Sequence, residues 1–240
     1  MTRLEARNVR VDQRHRPLLP ATSLRVATGQ LVLLYGDPGP AHAALALALA
    51  GRLPIDEGVV TLDGVADPAV LQDAVGLVDV PEVSAPDDVL PLTTVTGEGL
   101  AMAREPAGRR DVRDWLTKYG LGHRLEARME DLTAPERLRV LSLLTASRPG
   151  VLFLVVTLPE RNGHVGDLWL PGARQLTDAG FGLVVTTSVG VAGRVRADHP
   201  GLQVVAIGDD EEAEDSDPAA GLLDATPPMV RTGGSTEEER

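Results

Sequence analysis

A glycine-containing turn follows an apolar run and opens directly into a helical pattern. The run 30–35 (QLVLLY) leads into Gly36-Asp37-Pro38-Gly39-Pro40, and residues 42–53 are rich in Ala and Leu, which favour helix. At such a junction, backbone N–H groups and the positive end of the helix dipole bind phosphate. The spacing predicts a phosphate-binding loop that consists of Gly36, Gly39, Pro40, Ala41, His42, Ala43 and Ala44.

The elements that must position this loop are short apolar runs alternating with helical patterns, which is typical of an α/β protein with a mostly parallel sheet. We predict strands at 24–26, 30–35, 59–62, 74–80, 151–156, 182–187 and 202–207. We predict helices at 42–53, 110–119 and 135–146, and the pattern from about 83 to 147 is mostly helical.

Several motifs resemble those of ATP-binding cassette (ABC) domains and occur in the same order. Residues 58–64 read GVVTLDG, similar to the family's G-x-V-x-L-D-G strand and turn. Residues 131–140 are similar to its L-S-G-G-E/Q signature and the following helix, and 180–188 resemble the strand that leads to its switch histidine. The resemblance implies a P-loop NTPase-like cassette: a mostly parallel sheet with flanking helices, an N-terminal antiparallel β part and a helical subdomain at about 83–147.

In this loop the residues that bind nucleotide in the family are replaced. His42 matches the phosphate-binding lysine, and an imidazole with its usual pKa near 6.5 is mostly neutral at pH 7. Ala43 matches the hydroxyl that binds Mg²⁺, Pro40 lacks an N–H group, and Ala41 matches a glycine. We therefore expect ATP to bind weakly or not at all, and no cofactor is predicted with certainty.

The strand at 151–156 also lacks the carboxylates that hydrolysis requires. In one register Val155 and Val156 match the family's Walker B Asp and Glu, and in the other register Thr157 and Leu158 match them. Glu160 is the nearest acid, and we interpret it as a surface charge. No catalytic residue is predicted, because phosphoryl transfer depends on positioned cations around the γ-phosphate.

The remaining motifs depart from the family in the same way. The signature segment 132–136 (LTAPE) lacks both glycines, and Thr133 followed by Pro135 is typical of a helix N-terminus. Ser188 matches the switch histidine, Val80 the Q-loop glutamine, and Gln13 the aromatic residue that stacks on adenine.

Composition excludes several classes of partner and site. The net charge of −12 disfavours nucleic acid, and the absence of cysteine excludes disulfides and thiolate nucleophiles. No apolar run has the roughly 20 residues that cross a bilayer, and the N-terminus lacks a signal peptide pattern, so we expect a cytoplasmic protein that is peripheral to a membrane only through a partner. No metal site is predicted, because no two histidines have helical ligand spacing among His15, His42, His123, His164 and His199.

The two ends of the chain carry opposite charges. A basic cluster near the N-terminus is interpreted as a solvated face, with an acidic partner or the chain's own acidic tail as alternatives; it consists of Arg3, Arg7, Arg10, Arg14, His15 and Arg16. Residues 209–217 are almost wholly acidic, and such a segment cannot bury enough apolar area to offset the entropy of ordering. We predict a degenerate cassette domain at 1–207 and a disordered acidic tail at 208–240.

Three functions are compatible with these features. The first is a non-catalytic ABC ATPase-like subunit or accessory protein, a pseudo-ATPase that associates with another ABC cassette, a membrane permease subunit or a second copy of itself. The second is an ATP-binding transporter subunit that retains nucleotide in a composite site. The third is a cytoplasmic scaffold or regulator unrelated to transport, because a fold alone does not determine function.

Overall fold

The computed structural model describes residues 1–162 and 168–209, and it contains two sheets. His164 and residues 210–240 lie outside the described residues. The strands are β1 (Arg3–Val11), β2 (Leu19–Ala27), β3 (Leu31–Gly36), β4 (Glu57–Leu62), β5 (Val75–Val78), β6 (Phe153–Thr157), β7 (Gly182–Ser188) and β8 (Gln203–Ala206).

The larger sheet is parallel and has the strand order β5-β6-β7-β3-β8. Alternate residues of its central strands face two separate cores: Leu33 and Val185 pack on one side, and Leu34 and Val184 on the other. Because both faces are covered, these strands are continuous apolar runs, as the sequence predicted.

The smaller sheet is antiparallel, with the order β2-β1-β4. Its inner face, which includes Leu4, Ala6 and Leu24, packs with the helix that follows β3. This confirms the predicted antiparallel β part.

Seven α-helices lie in the described part of the chain, and they cover the parallel sheet. They are α1 (Ala41–Leu49), α2 (Pro68–Ala74), α3 (Leu92–Met102), α4 (Arg109–Lys118), α5 (Ala134–Ala146), α6 (Leu170–Asp178) and α7 (Val189–Asp198). Helices α3, α4 and α5 share one apolar cluster that includes Leu100, Leu116 and Leu144. The predicted fold class is confirmed: α/β, with a mostly parallel sheet, an antiparallel part and a helical region.

Several element boundaries differ from the prediction, and two of the differences have a clear local reason. Helix α1 ends at Leu49 rather than 53, since Gly51 has a φ of 63° and the chain leaves the helix there. Strand β5 ends at Val78 rather than 80, because Asp79 adopts a left-handed conformation with a φ of 55°.

Candidate functional site

The predicted phosphate loop lies at the carboxyl edge of the parallel sheet, where open α/β sheets bind ligands. Gly36, the last residue of β3, is in register with Ser188, the last residue of β7. Thr157, the last residue of β6, is in register with Thr186. The sheet therefore brings the loop, the end of β6 and the switch position together, as the motif order requires.

The loop itself is exposed from Asp37 to Pro40, and α1 begins directly after it. The Pro40 carbonyl accepts the first helical hydrogen bond from the Ala44 N–H group, at 2.9 Å. A Cβ added at Gly39 would meet nothing closer than the Asp37 carbonyl oxygen, at 4.0 Å, so the loop path does not depend on glycine there. Pro38 and Pro40 lack N–H groups, which leaves fewer donors for an anion.

His42 is directed into the protein, and its residue is only 1% exposed. Its Nε2 lies 3.1 Å from the Asp37 carbonyl oxygen, and its Nδ1 is buried without a hydrogen-bond partner among the described residues. Burial lowers the pKa of His42 from 6.5, although the Asp37 carbonyl and the charge of Glu160 act in the opposite direction. The imidazole is therefore neutral at pH 7 and supplies no cation to the loop.

Glu160 is not the surface charge that the sequence suggested. It lies in a 3₁₀ turn, Pro159–Asn162, which follows β6. Its Oε1 accepts hydrogen bonds from the Thr187 hydroxyl and the Ser188 N–H group, both at 2.8 Å, while Oε2 is buried with no partner in the described part of the chain. The chain folds back towards β7 because Leu158 has a φ of 43°, a turn that no sequence pattern indicated.

The end of β6 provides no carboxylate in either register. Val155, Val156 and Thr157 are all at most 1% exposed and belong to the packed interior. The Thr157 hydroxyl donates to the Asp79 carbonyl oxygen at 3.4 Å. The two valines have no oxygen for a hard cation, and the Thr157 hydroxyl is hydrogen-bonded inside the sheet.

Sequence reasoning missed a buried network of ion pairs next to the site. Asp79 accepts hydrogen bonds from the Arg137 guanidinium at 3.1 Å and forms an ion pair with Arg161 at 3.0 Å. Arg137 also donates to Asp88 at 2.7 Å, and the side chains of Asp79 and Arg137 are 6% and 4% exposed. The sequence signals were an acidic residue directly after an apolar strand and an arginine on the inner side of α5.

Comparisons with known proteins agree with this geometry. Over 143 residues the chain is 36% identical to the hemin import ATP-binding protein HmuV of Bordetella pertussis and to that of Bordetella bronchiseptica. The match covers 57% of this chain and 54% of each relative, so the chain spans about half the length of these relatives. No family model matches.

Solved structures extend the likeness over most of the chain. A nucleotide-free ATP-binding cassette from an ABC transporter is 15% identical, with a TM-score of 0.61 and coverage of 87% of this chain and 89% of that one. The chain has the fold of an ATP-binding cassette. The cassette MJ1267 in its ADP conformation also superposes with a TM-score of 0.61, at 16% identity, over 88% of this chain and 93% of that one.

In this chain, the segment that resembles the signature forms an ordinary helix N-terminus. The Thr133 hydroxyl accepts a hydrogen bond from the Glu136 N–H group, and the Glu136 carboxylate accepts one from the Thr133 N–H group, which confirms the predicted N-cap. Glu136 also accepts two hydrogen bonds from Arg124. Burial raises the pKa of Glu136, but the bonds from Arg124 and Thr133 outweigh burial and lower it from 4.5 to about 2.

The positions that the sequence aligns with the Q-loop glutamine and the adenine-stacking residue have no hydrogen bond to the loop among the described residues. Val80 is fully buried in the core beneath the antiparallel sheet, and Gln13 is exposed in the turn between β1 and β2. Among the described residues there is no group of three acidic or histidine side chains suited to a metal, and none of their helices has the length and hydropathy of a membrane span.

Proposed function

We propose that this cassette is a non-catalytic subunit, which acts by association with a transporter and does not hydrolyse ATP. The observation that carries the proposal is the state of His42. The loop 36–44 contains no Lys or Arg, and His42 is buried, neutral and bonded to the loop's own Asp37 carbonyl. Phosphate therefore meets backbone N–H groups without a cationic side chain.

Electrostatics around the loop disfavour a triphosphate further. Asp37 is exposed in the loop, and Glu160 lies beside the switch position with one buried carboxylate oxygen that has no hydrogen-bond partner among the described residues. Loss of one charge-assisted hydrogen bond costs about 1.5–3 kcal/mol, which corresponds to roughly 10- to 100-fold in affinity. The acidic neighbours act in the same direction as that loss.

Mg²⁺–ATP does not fit the residues that are present. Ala43 has no oxygen for the metal, and the end of β6 has no carboxylate. Asp79 is engaged by two guanidiniums, and Glu160 by Thr187 and Ser188. A bound Mg²⁺ would therefore be held mainly by the phosphates of the nucleotide. No step of hydrolysis follows from this arrangement.

A transport context is supported by the relatives, which are named as hemin import ATP-binding proteins. By that likeness we propose a membrane permease subunit, another cassette or a second copy of this chain as the partner, on the cytoplasmic side of a membrane. A scaffold unrelated to transport is the competing reading. A polytopic membrane protein encoded beside this chain's gene would favour the transport reading.

An ATP-binding subunit that contributes one half of a composite site is the second candidate. The first turn of α1 favours it, because the N–H groups of Ala41, His42 and Ala43 have no acceptor within the helix. These donors and the helix dipole still attract an anion.

Calorimetry with ATP and a phosphate-release assay distinguish the two candidates. We expect weak ATP binding that is almost independent of Mg²⁺, and no release of phosphate above a protein-free control. A submicromolar complex that requires Mg²⁺ would favour the composite site, and steady turnover by the purified chain would overturn the non-catalytic proposal.

A further inference from the structure

The last described residues lie along the edge of β2. The Ser23 N–H group donates to the Asp209 carbonyl oxygen at 2.9 Å, and the Gly208 N–H group donates to the Thr22 hydroxyl at 3.0 Å. In the order β2-β1-β4, strand β2 is the edge strand of its sheet as far as the described residues show. The chain therefore enters its C-terminal segment while hydrogen-bonded to a sheet edge.

The segment that begins at this point is strongly acidic. Seven of the nine residues from 209 to 217 are Asp or Glu. Residues 210–240 contain ten acidic residues and two arginines, so they carry a formal charge of −8 out of the chain's −12. The described domain is much closer to neutral than the whole chain, which allows a local basic surface to attract this segment.

Such a surface lies beside the same edge, and we call it the arginine face: the outer side of β1 and β2 that carries Arg7 and Arg25. Both guanidiniums reach Glu5, at 3.1 Å and 2.9 Å, and Glu5 is in register with Arg25 across the two strands. The side chains of Arg7 and Arg25 are 58% and 32% exposed. Two positive charges thus flank one negative charge on this surface.

The distances suit an intramolecular contact. Arg25 lies two residues from Ser23 along β2, which is about 7 Å in a strand. A chain extends up to about 3.5 Å per residue, so two or three residues beyond Asp209 are long enough to span this distance. The Ser23 N–H group on this edge already bonds to Asp209, and an edge strand favours addition of a further extended segment.

We propose that the acidic segment 210–217 of this chain binds its own arginine face and covers the edge of β2. The contact combines backbone pairing that starts at Ser23 with ion pairs to Arg7 and Arg25. It makes the arginine face inaccessible to other acidic partners while the segment is bound. Because exposed ion pairs are screened by salt, the cover is weakened as ionic strength rises.

The absence of cysteine allows a direct test with one nitroxide label. Ala213→Cys places the label within the acidic segment without changing a charge, and ¹⁵N-labelled full-length chain reports paramagnetic broadening of backbone amides. We expect the strongest broadening at amides of β1 and β2 around Glu5, Arg7 and Arg25. Most of it should be lost in high salt and in Arg7→Gln/Arg25→Gln.

Two controls make the result specific. Arg109→Gln/Arg110→Gln removes two charges from the exposed α4 and should leave the broadening of β1 and β2 unchanged. A tail in which the acids from 210 to 217 become Asn or Gln leaves the folded domain untouched and should lose the contact, even if the arginine variant folds poorly.

Three outcomes would overturn the proposal. Broadening that is uniform or absent in low salt would show that the segment does not bind this face. Equal loss in the α4 control would indicate non-specific attraction. A third sample mixes ¹⁵N-labelled chain that has no nitroxide with ¹⁴N chain that carries it. Broadening in this sample would show that the acidic segment of a second copy, rather than that of the same chain, binds the arginine face.

Discussion

His42 is the residue that the motif spacing aligns with the cation of a phosphate loop, yet its surroundings favour the uncharged ring. A lysine there reaches phosphate with a permanent charge, whereas the imidazole is buried against the Asp37 carbonyl oxygen at 3.1 Å. Glu160 raises the pKa of His42, but burial outweighs it and the pKa lies below 6.5. Burial therefore makes the neutral ring the favoured form in the folded chain.

This gives a pH dependence of stability. The unfolded chain binds a proton at His42 near pH 6.5, while the folded chain binds it only at lower pH, so the contribution of His42 to the free energy of unfolding is greatest above about pH 6.5 and falls on acidification. Urea unfolding between pH 7.5 and 5.5 should show this loss, and His42→Gln should reduce the slope. The exposed His15→Gln serves as the matched control, and an equal slope in wild type and His42→Gln would contradict the assignment.

At the scale of elements, the buried ion network connects four parts of the chain. Asp79 follows β5, Asp88 precedes α3, Arg137 belongs to α5, and Arg161 lies in the turn after β6. Every charge in the buried part has an opposite charge at 3.1 Å or less, which is the condition under which such charges are tolerated in an interior. The network thereby fixes the helical region to the carboxyl edge of the sheet.

Removal of one charge from this network should be costly. Asp79→Asn keeps a residue type that tolerates the left-handed backbone, but it leaves Arg137 and Arg161 without their shared carboxylate. We expect a loss of about 3–5 kcal/mol in the free energy of unfolding, measured by denaturant titration. Asp88→Asn removes a carboxylate that is 62% exposed and should cost at most about 1 kcal/mol. Similar losses in the free energy of unfolding for the two variants would mean that burial does not determine how much each carboxylate contributes to stability.

The strand edge gives a second test at this scale. Truncation after Asp209 keeps the two hydrogen bonds of Gly208 and Asp209 to β2, whereas truncation after Ile207 removes both. The shorter chain should be less stable by about 1–3 kcal/mol, at about 0.5–1.5 kcal/mol for each bond. Thermal unfolding of the two truncated chains side by side measures the difference, and equal midpoints would show that these bonds contribute nothing.

Local periodicity was sufficient to predict the strands of the parallel sheet and the position of the loop. Residues 30–35 and 182–187 became β3 and β7 almost without change, since buried strands are continuous apolar runs. The side-chain partners around the loop were not predictable in this way. Asp79 and Arg137 are 58 positions apart, and Glu160 and Ser188 are 28 apart, so their contacts depend on tertiary structure alone.

At the scale of the whole molecule, ATP hydrolysis needs groups from several separate elements at once. The loop must supply a cation and a metal-binding oxygen, the end of β6 a carboxylate, and the end of β7 a polar group for the γ-phosphate. A partner's signature segment completes the site in the family that this chain resembles. Here Thr133 and Glu136 bond to each other at that segment. Repair of one element therefore cannot restore the reaction.

The double variant His42→Lys/Ala43→Ser tests this argument. The lysine returns a permanent cation and the serine a metal-binding hydroxyl, so ATP affinity should rise by roughly 10- to 100-fold and become dependent on Mg²⁺. Phosphate release should stay at the level of the wild type, because Val155, Val156, Thr157 and Leu158 still provide no carboxylate. Calorimetry and a steady-state phosphate assay measure both effects, with His42→Gln/Ala43→Ser as the control that lacks the cation. Turnover by the repaired chain would contradict this argument, and Glu160→Gln in the repaired chain would then test Glu160 as a substitute base, since its Oε2 has no partner among the described residues.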